Sequence, residues 1–239
     1  VTLWTLPPGG VPAAAWPFVI ATIVLHALYF YALGRSYRVG EFSLVYPVAR
    51  GLGVALVPVF AALLLDERPS AMGALGIALV VVGIVALQWV GRPRVAQGPR
   101  LGGGTGWALL TGVMIAAYAL VDKAGVSRLH PAPYIGLMFV GSLLLLVPAA
   151  LLDTERFRRE WKTNWRAILV ASVMTLTAYL LVLFAFRLSK AGYVVAAREV
   201  SIVISVVIGR LWFGERHLAA RLAGATSVLA GLICLAFAD

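Results

Sequence analysis

Four ionisable side chains stand inside long apolar stretches of the sequence: His26, Arg50, Arg198 and Glu199. Ionisable groups at such positions are costly in a membrane and usually face a cavity or a partner. Arg50 lies about 12 Å into its stretch if the stretch is helical, which is deep for a side chain that must reach water. Arginine pairs bidentately with carboxylate or phosphate, and histidine exchanges protons near neutral pH. The chemistry open to these residues is the binding of an anionic group or of a proton.

Each of these residues also has a structural interpretation. Arg198 and Glu199 are adjacent in the sequence, so they point about 100° apart on a helix. Either could pair with another helix and simply hold the fold together. A single histidine in an apolar stretch, such as His26, is more often a hydrogen-bonded interior residue than a proton switch. Both interpretations stay open for these positions.

Further polar and aromatic residues recur at helical spacing and form polar faces on the predicted helices, with Thr22 beside His26 on the first and Asp122 beside Tyr118 on the fourth. We expect these faces to converge on one cavity that suits a small amphipathic metabolite with an anionic group, although residues of these types also mediate ordinary helix packing. The predicted substrate-binding residues are His26, Tyr29, Tyr46, Arg50, Tyr118, Thr175, Tyr179, Arg198, Glu199 and Ser201.

The elements that would carry these residues are membrane helices. Of the 239 residues, 62% are hydrophobic and only 13% are charged, where soluble domains carry about 25%. A helix needs roughly 20 apolar residues to cross the hydrocarbon core, and the runs are too long for strands. The sequence predicts an all-α polytopic bundle of about eight transmembrane helices, at 13–34, 42–65, 71–90, 106–121, 132–152, 165–186, 192–213 and 218–237.

The charge balance and the single cysteine exclude several classes of site. The net charge of +10 comes mostly from residues in short connectors, as membrane topology demands, so no nucleic acid partner is expected. Cys234 is the only cysteine, so the chain forms no intramolecular disulfide and encodes no zinc cluster. No metal or cofactor is predicted.

The sequence repeats itself at an offset of 148 residues. Arg50 matches Arg198 at this offset, and Gly76 and Gly83 match Gly224 and Gly231 in the last run. We interpret these glycines as positions where helices pack closely. The first three helices therefore correspond to the sixth, seventh and eighth. Because equivalent helices lie five apart, the two copies cross the membrane in opposite senses, as in many secondary transporters.

The fourth and fifth helices have no counterpart earlier in the sequence, so we expect two helices to be missing from the first repeat. The predicted division is an incomplete first repeat of three helices at 1–95, a linker at 96–105 and a second repeat of five helices at 106–239.

This layout resembles the drug/metabolite transporter superfamily, in particular its EamA-type members with two inverted five-helix repeats. The resemblance rests on the paired helix ends Leu65–Arg68 and Phe213–Arg216, each followed by a glycine-spaced helix, and on Tyr46-Pro47. It implies a secondary transporter that exports small metabolites, such as amino acids or drug-like amphipathic compounds, by alternating access. A coupling proton is a further candidate partner, and the oligomeric state stays open.

Two rival functions come from other classes. An intramembrane enzyme would need a motif such as HExxH or Gly-x-Ser-x-Gly, and the sequence has neither. We therefore expect no enzyme. A membrane scaffold or lipid-interacting protein would need no polar cavity at all and remains the main alternative.

The location is the cell membrane, the inner membrane in a bacterium, but the orientation is open. Most Lys and Arg residues lie in the connectors after odd-numbered helices, which would place the C-terminus outside. The resemblance implies instead that both termini of a ten-helix protein lie inside.

Overall fold

A computed structural model of the chain describes residues 10–39, 42–90, 103–152, 154–201, 204 and 218–238. Within these ranges the chain is helical and contains no β-strand, which confirms the all-α polytopic fold class. The helices are α1 (Trp16–Val39), α2 (Phe42–Leu64), α3 (Ala71–Val90), α4 (Gly103–Val126), α5 (Pro131–Leu151), α6 (Thr154–Leu188), α7 (Ala191–Ala197) and α8 (Leu218–Ala236).

Among the described residues, four segments are long and apolar enough to cross a bilayer: Ala13–Val39, Gly104–Val126, Pro131–Pro148 and Thr154–Leu188. Three shorter apolar helical segments lie at Val48–Leu64, Ala71–Ala86 and Ala223–Ala236. Large apolar side chains such as Leu144, Met174 and Leu188 are exposed, as expected for side chains in contact with lipid tails. The chain is an integral membrane protein, and the number of helices that cross the membrane stays a prediction.

Three helices differ by several residues from their predicted bounds. The first run was predicted to end at residue 34, but α1 continues to Val39, because the charged residues Arg35 and Arg38 are compatible with a helix. The fourth apolar run was predicted to end at residue 121, but α4 continues to Val126, because Ala124 and its neighbours are compatible with a helix despite the preceding charges. The sixth begins earlier than predicted, at Thr154, and is interrupted at Asn164, where φ is −120° and ψ is 15°. The charged segment before Asn164 is therefore helical, and only the part after it is apolar. Half of the predicted seventh run lies outside the described residues, and within the described half α7 ends at Ala197.

The chain divides into two compact units by its contacts. The first unit comprises Val1–Tyr31 and Val121–Leu188, and the second comprises Ala32–Leu120 and Ser189–Asp239. The first contains most of α1, the end of α4, α5 and α6, and the second contains α2, α3, α7, α8 and most of α4. These units are defined by contacts and not by internal similarity, so the predicted division into repeats stays a prediction.

In the second unit, α3 and α8 pack together along glycines. A Cβ on Gly76 would lie 2.8 Å from the carbonyl oxygen of Gly231, and a Cβ on Gly83 would lie 2.7 Å from the carbonyl oxygen of Gly224. Only glycine allows two backbones to come so close. The order of the contacts along the two helices shows that α3 and α8 run antiparallel. The glycines are therefore packing positions, as their spacing predicted.

The contacts between α3 and α8 are reciprocal: each contact recurs when every residue is replaced by its equivalent on the other helix, 148 positions away in the sequence. A Cβ on Gly83 would lie 2.7 Å from Val228 Cγ2 and 2.9 Å from Val228 N. A Cβ on Gly231, which matches Gly83, would lie 2.8 Å from Val80 Cγ2 and 3.0 Å from Val80 N, and Val80 in turn matches Val228. Exchange of the two helices thus reproduces the contacts, as expected of a pair related by a local two-fold axis.

Short polar contacts organise the connector between α2 and α3. Asp66 takes the left-handed backbone conformation, with φ of 53°, which aspartate tolerates better than most residues. This turn directs the Glu67 carboxylate to the backbone N–H of Ala191, which donates to it at 2.6 Å at the start of α7. Ser70 caps α3, and its backbone N–H donates to the Tyr193 hydroxyl at 2.9 Å. Side chains at both ends of this connector therefore fix α7 against α3.

Candidate functional site

The first unit contains a buried polar cluster centred on the Asp122 carboxylate. The Thr22 hydroxyl donates to Oδ1 at 2.5 Å and the Tyr134 hydroxyl donates to the same oxygen at 2.8 Å. The Tyr179 hydroxyl donates to Oδ2, and His26 Nε2 lies 4.0 Å from that oxygen. Asp122 and Thr22 are fully buried and His26 is 3% exposed. Three hydroxyl donors and an imidazole thus surround one carboxylate; we call these five residues the Asp122 cluster.

Four helices contribute to the Asp122 cluster. Thr22 and His26 are one turn apart on α1, and Asp122 lies near the end of α4. Tyr134 is in the first turn of α5 and lies directly over Gly125, where a Cβ would come within 2.5 Å of its ring. Tyr179 comes from α6, and its ring meets the His26 ring edge-on at 5.3 Å.

The hydrogen bonds of His26 define which ring nitrogen carries a hydrogen. Nδ1 lies 3.0 Å from the Thr22 carbonyl oxygen and 3.0 Å from the Thr22 hydroxyl. A carbonyl oxygen can only accept, so Nδ1 must be the donor. In a neutral imidazole Nε2 would then carry a lone pair, and this atom is the one that faces Asp122. The cluster therefore has a place for one further proton, on Nε2.

The second unit contains a buried ion pair between α2 and the residues that follow α7. Arg50 Nη2 lies 2.7 Å from Glu199 Oε1, and the side chains are 17% and 2% exposed. Glu199 Oε2 is also buried, and no donor among the described residues reaches it. The pair brings together two of the residues that the sequence singled out, and it leaves a carboxylate oxygen able to accept a hydrogen bond.

The remaining predicted residues are distributed over both units. Tyr29 is partly buried, with its ring 6.4 Å from that of His26, whereas Thr175 is exposed and is not part of the Asp122 cluster. Tyr118 is buried in α4, and Arg198 is partly exposed beside Glu199. Ser201 is exposed, and its hydroxyl donates to the Arg198 carbonyl at 3.2 Å. The side chain of Tyr46 lies outside the described residues.

The described contacts therefore bring together two subsets of the predicted residues, one in each unit. His26 and Tyr179 belong to the Asp122 cluster, and Arg50 contacts Glu199. Whether the polar faces converge on one common cavity stays a prediction.

Sequence reasoning placed Asp122 and Thr22 on polar faces but did not include them in the site, and it missed Tyr134. Asp122 stands one residue beyond the predicted end of the fourth run, on the helical face that also carries Thr111 and Tyr118. The signal was nevertheless present, since an aspartate that follows a long apolar run without a helix breaker belongs to that helix. Tyr134 gave no comparable signal, because its position over Gly125 depends on how α5 packs.

The described residues include no group of three His, Cys, Asp or Glu side chains that could hold a metal ion. The chemistry that these arrangements offer is ionic and hydrogen-bonding recognition at the Arg50–Glu199 pair, and proton binding at the Asp122 cluster.

Comparisons with known families give two matches. The model of the EamA-like transporter family matches residues 102–237, which is more than half of the chain. The model of the Small Multidrug Resistance protein family matches residues 12–80. No curated protein matches the chain.

Proposed function

The chain belongs to the EamA-like transporter family, and we propose that it exports amino acids or closely related metabolites, with Arg50 and Glu199 binding the substrate. Both matching families are transporters of small molecules, so the chain is a small-molecule transporter of the membrane. The families point away from an enzyme. The substrate class, the outward direction and the alternating-access mechanism are parts of the proposal.

The observation that carries the proposal is the buried pair of opposite charges. An anionic ligand alone would meet the Glu199 carboxylate, and a cationic ligand alone would meet the Arg50 guanidinium, which is 2.7 Å away. A zwitterion satisfies both, because its carboxylate can replace Glu199 on the guanidinium while its ammonium group donates to the Glu199 carboxylate. The buried Oε2 atom, which accepts no hydrogen bond from the described residues, supplies an acceptor for that ammonium group.

Opening the Arg50–Glu199 ion pair costs less free energy when a zwitterion takes the place of each partner than when the two side chains simply separate. Removing one partner of a buried ion pair costs about 3–5 kcal/mol, because the other charge stays buried without compensation. A zwitterionic ligand supplies both charges at the moment when the pair opens, so this cost is largely offset. A substrate with only one charged group would leave one side chain uncompensated.

Further residues belong to the proposed site by position. Arg198 and Ser201 flank Glu199 along the chain, and Tyr118 lies on α4 in the same unit. We propose that Arg198 contributes to the attraction of anionic groups, and that the aromatic rings contact the apolar part of an amphipathic substrate. Tyr46, four residues before Arg50 on α2, occupies the same helical face.

The test is efflux from proteoliposomes loaded with a radiolabelled mixture of the proteinogenic amino acids. We expect Arg50→Lys and Glu199→Gln to reduce efflux at least tenfold, because lysine loses the bidentate geometry and glutamine loses the charge. Arg187→Ala, which removes an exposed cation at the end of α6, serves as the matched control and should leave efflux unchanged.

Unchanged efflux in both site variants would show that the pair only holds α2 against the segment after α7. Such a result would favour the scaffold interpretation of these residues. The thermal unfolding temperature of each variant, measured in the same detergent, separates loss of binding from loss of fold.

A further inference from the structure

The Asp122 cluster plays no part in the substrate site proposed above, yet it is the most completely hydrogen-bonded carboxylate among the described residues. A buried carboxylate with three hydroxyl donors satisfies its oxygens as an ionised group. Its negative charge remains, and burying an isolated charge is expensive. The group that can neutralise it is the imidazole of His26, whose Nε2 faces Oδ2 at 4.0 Å.

We propose that the Asp122 cluster is a proton-binding site, in which one proton from water is held on His26 Nε2 and stabilised by the Asp122 carboxylate. The proton adds to the Nε2 lone pair and gives an imidazolium, so the step needs no other reactant. The hydrogen on Nδ1 is already committed to the Thr22 carbonyl oxygen, and Nε2 is therefore the nitrogen that gains and loses a proton.

The titratable groups around the pair come from each helix packed against it. Tyr134 approaches from α5 and Tyr179 from α6, and both act as hydrogen-bond donors to Asp122. On α4 itself, the neighbouring Lys123 directs its ammonium group to the carbonyl oxygen of Phe186 at 2.5 Å. On α1, Tyr29 presents its ring to His26. Within this group His26 is the side chain whose ordinary titration lies nearest to neutral pH.

Proton binding would change how firmly α1 is held in the first unit. With the proton present, an ion pair joins His26 on α1 to Asp122 on α4, in addition to the Thr22 hydrogen bond. Without it, a lone pair faces a carboxylate and the contact is repulsive. Protonation thus strengthens the attachment of α1, and deprotonation weakens it. If the chain transports amino acids as proposed, this site supplies a coupling proton for that transport.

The site can be observed directly because the chain has three histidines. In a variant that carries both His130→Asn and His217→Gln, His26 is the one remaining histidine. Asparagine is chosen at position 130 because its side chain can still accept the hydrogen bond that the Ala132 N–H donates to His130. Histidine-selective ¹⁵N NMR of the purified protein then reports the protonation of both ring nitrogens. We expect a doubly protonated ring at pH 7.

Two further substitutions in that background decide the assignment. Asp122→Asn keeps the shape of the side chain and removes its charge, so the ring should lose its imidazolium signal at pH 7. Ser142→Ala is the matched control, since it removes a buried hydroxyl that joins α5 to α1 outside the cluster, where Ser142 donates to the Ile23 carbonyl oxygen at 3.1 Å, and the signal should persist. A neutral ring in the parent protein, or an imidazolium signal that Asp122→Asn leaves unchanged, would overturn the proposal.

Coupling is measured separately, as accumulation of the labelled amino-acid mixture driven by a pH gradient across proteoliposomes. We expect Asp122→Asn to abolish the dependence on the gradient while Ser142→Ala retains it. Gradient-independent transport in the parent protein would overturn the coupling role. Absence of any amino-acid transport would refute the proposed substrate class instead, and the NMR measurement, which needs no substrate, would still decide whether the proton site exists.

Discussion

Alanine in place of Gly83 or Gly231 tests the reciprocal crossing of α3 and α8. The added methyl group would lie 2.7 Å from the Gly224 carbonyl oxygen in the first variant and 2.6 Å from the Gly76 carbonyl oxygen in the second. Ordinary contacts of a Cβ begin near 3.4 Å, so the helices must move apart locally by about 0.7 Å, and overpacking of this kind costs about 1–3 kcal/mol. We expect each variant to be destabilised by this amount.

The assay is thermal unfolding in detergent, followed by tryptophan fluorescence. For a chain of this length, 1 kcal/mol corresponds to a shift of about 2–4 °C, so each melting temperature should fall by on the order of 5 °C. Gly106→Ala in α4 and Gly136→Ala in α5 are the matched controls, because their added methyl groups meet no atom within 4 Å. These controls should be neutral or stabilising by about 0.5–1 kcal/mol, since alanine is the better helix former.

The reciprocity of the crossing makes the prediction stricter. Gly83 and Gly231 are equivalent under the sequence repeat and meet nearly identical surroundings, so their two alanine variants should lose the same stability to within about 0.5 kcal/mol. Variants as stable as the controls would refute the close approach. Variants that are both destabilised but very unequally would refute the two-fold relation.

Three more outcomes follow from the polar contacts of the second unit. Arg50→Met should destabilise the protein by about 3–5 kcal/mol by leaving a buried carboxylate uncompensated, and adding Glu199→Gln should restore part of this loss in a double-mutant cycle. Ser227→Ala removes the hydroxyl that donates to a carbonyl oxygen of α3 at 2.8 Å and should cost only about 0.6 kcal/mol, the average for hydrogen bonds between membrane helices. Tyr193→Phe should cost about 1–3 kcal/mol, because the backbone N–H of Ser70 loses its acceptor; a neutral result in thermal unfolding would contradict that hydrogen bond.

The parts of the fold that depend on composition and period were predictable from the sequence. Long apolar runs gave the helical membrane class, and glycines at a common offset gave the packing positions of α3 and α8. The sequence could not show that Gly83 contacts the helix that carries its own counterpart, because a repeat specifies equivalence and not adjacency.

The site was predictable as a set of residues but not as a set of contacts. Arg50 and Glu199 were each conspicuous as charges within apolar runs, yet nothing in one sequence pairs residues so far apart along the chain. The Asp122 cluster was harder still to predict, because its carboxylate is close to the end of α4. Three of its four partners also come from α1 and α6, which are not next to α4 in the sequence. Tertiary packing alone brings Thr22, Tyr134 and Tyr179 to one carboxyl group.

The central claim is that the Arg50–Glu199 pair recognises a zwitterion, and counterflow in proteoliposomes tests it most directly. The labelled substrate is an amino acid for which the efflux assay has shown transport. Its uptake is measured in the presence of three competitors: the same amino acid unlabelled, the amine that lacks its carboxylate, and the acid that lacks its ammonium group. The zwitterion should compete at least tenfold more strongly than either analogue, and Glu199→Gln should remove the discrimination against the acid. Equal competition by the amine or the acid, or no amino-acid counterflow at all, would contradict the claim.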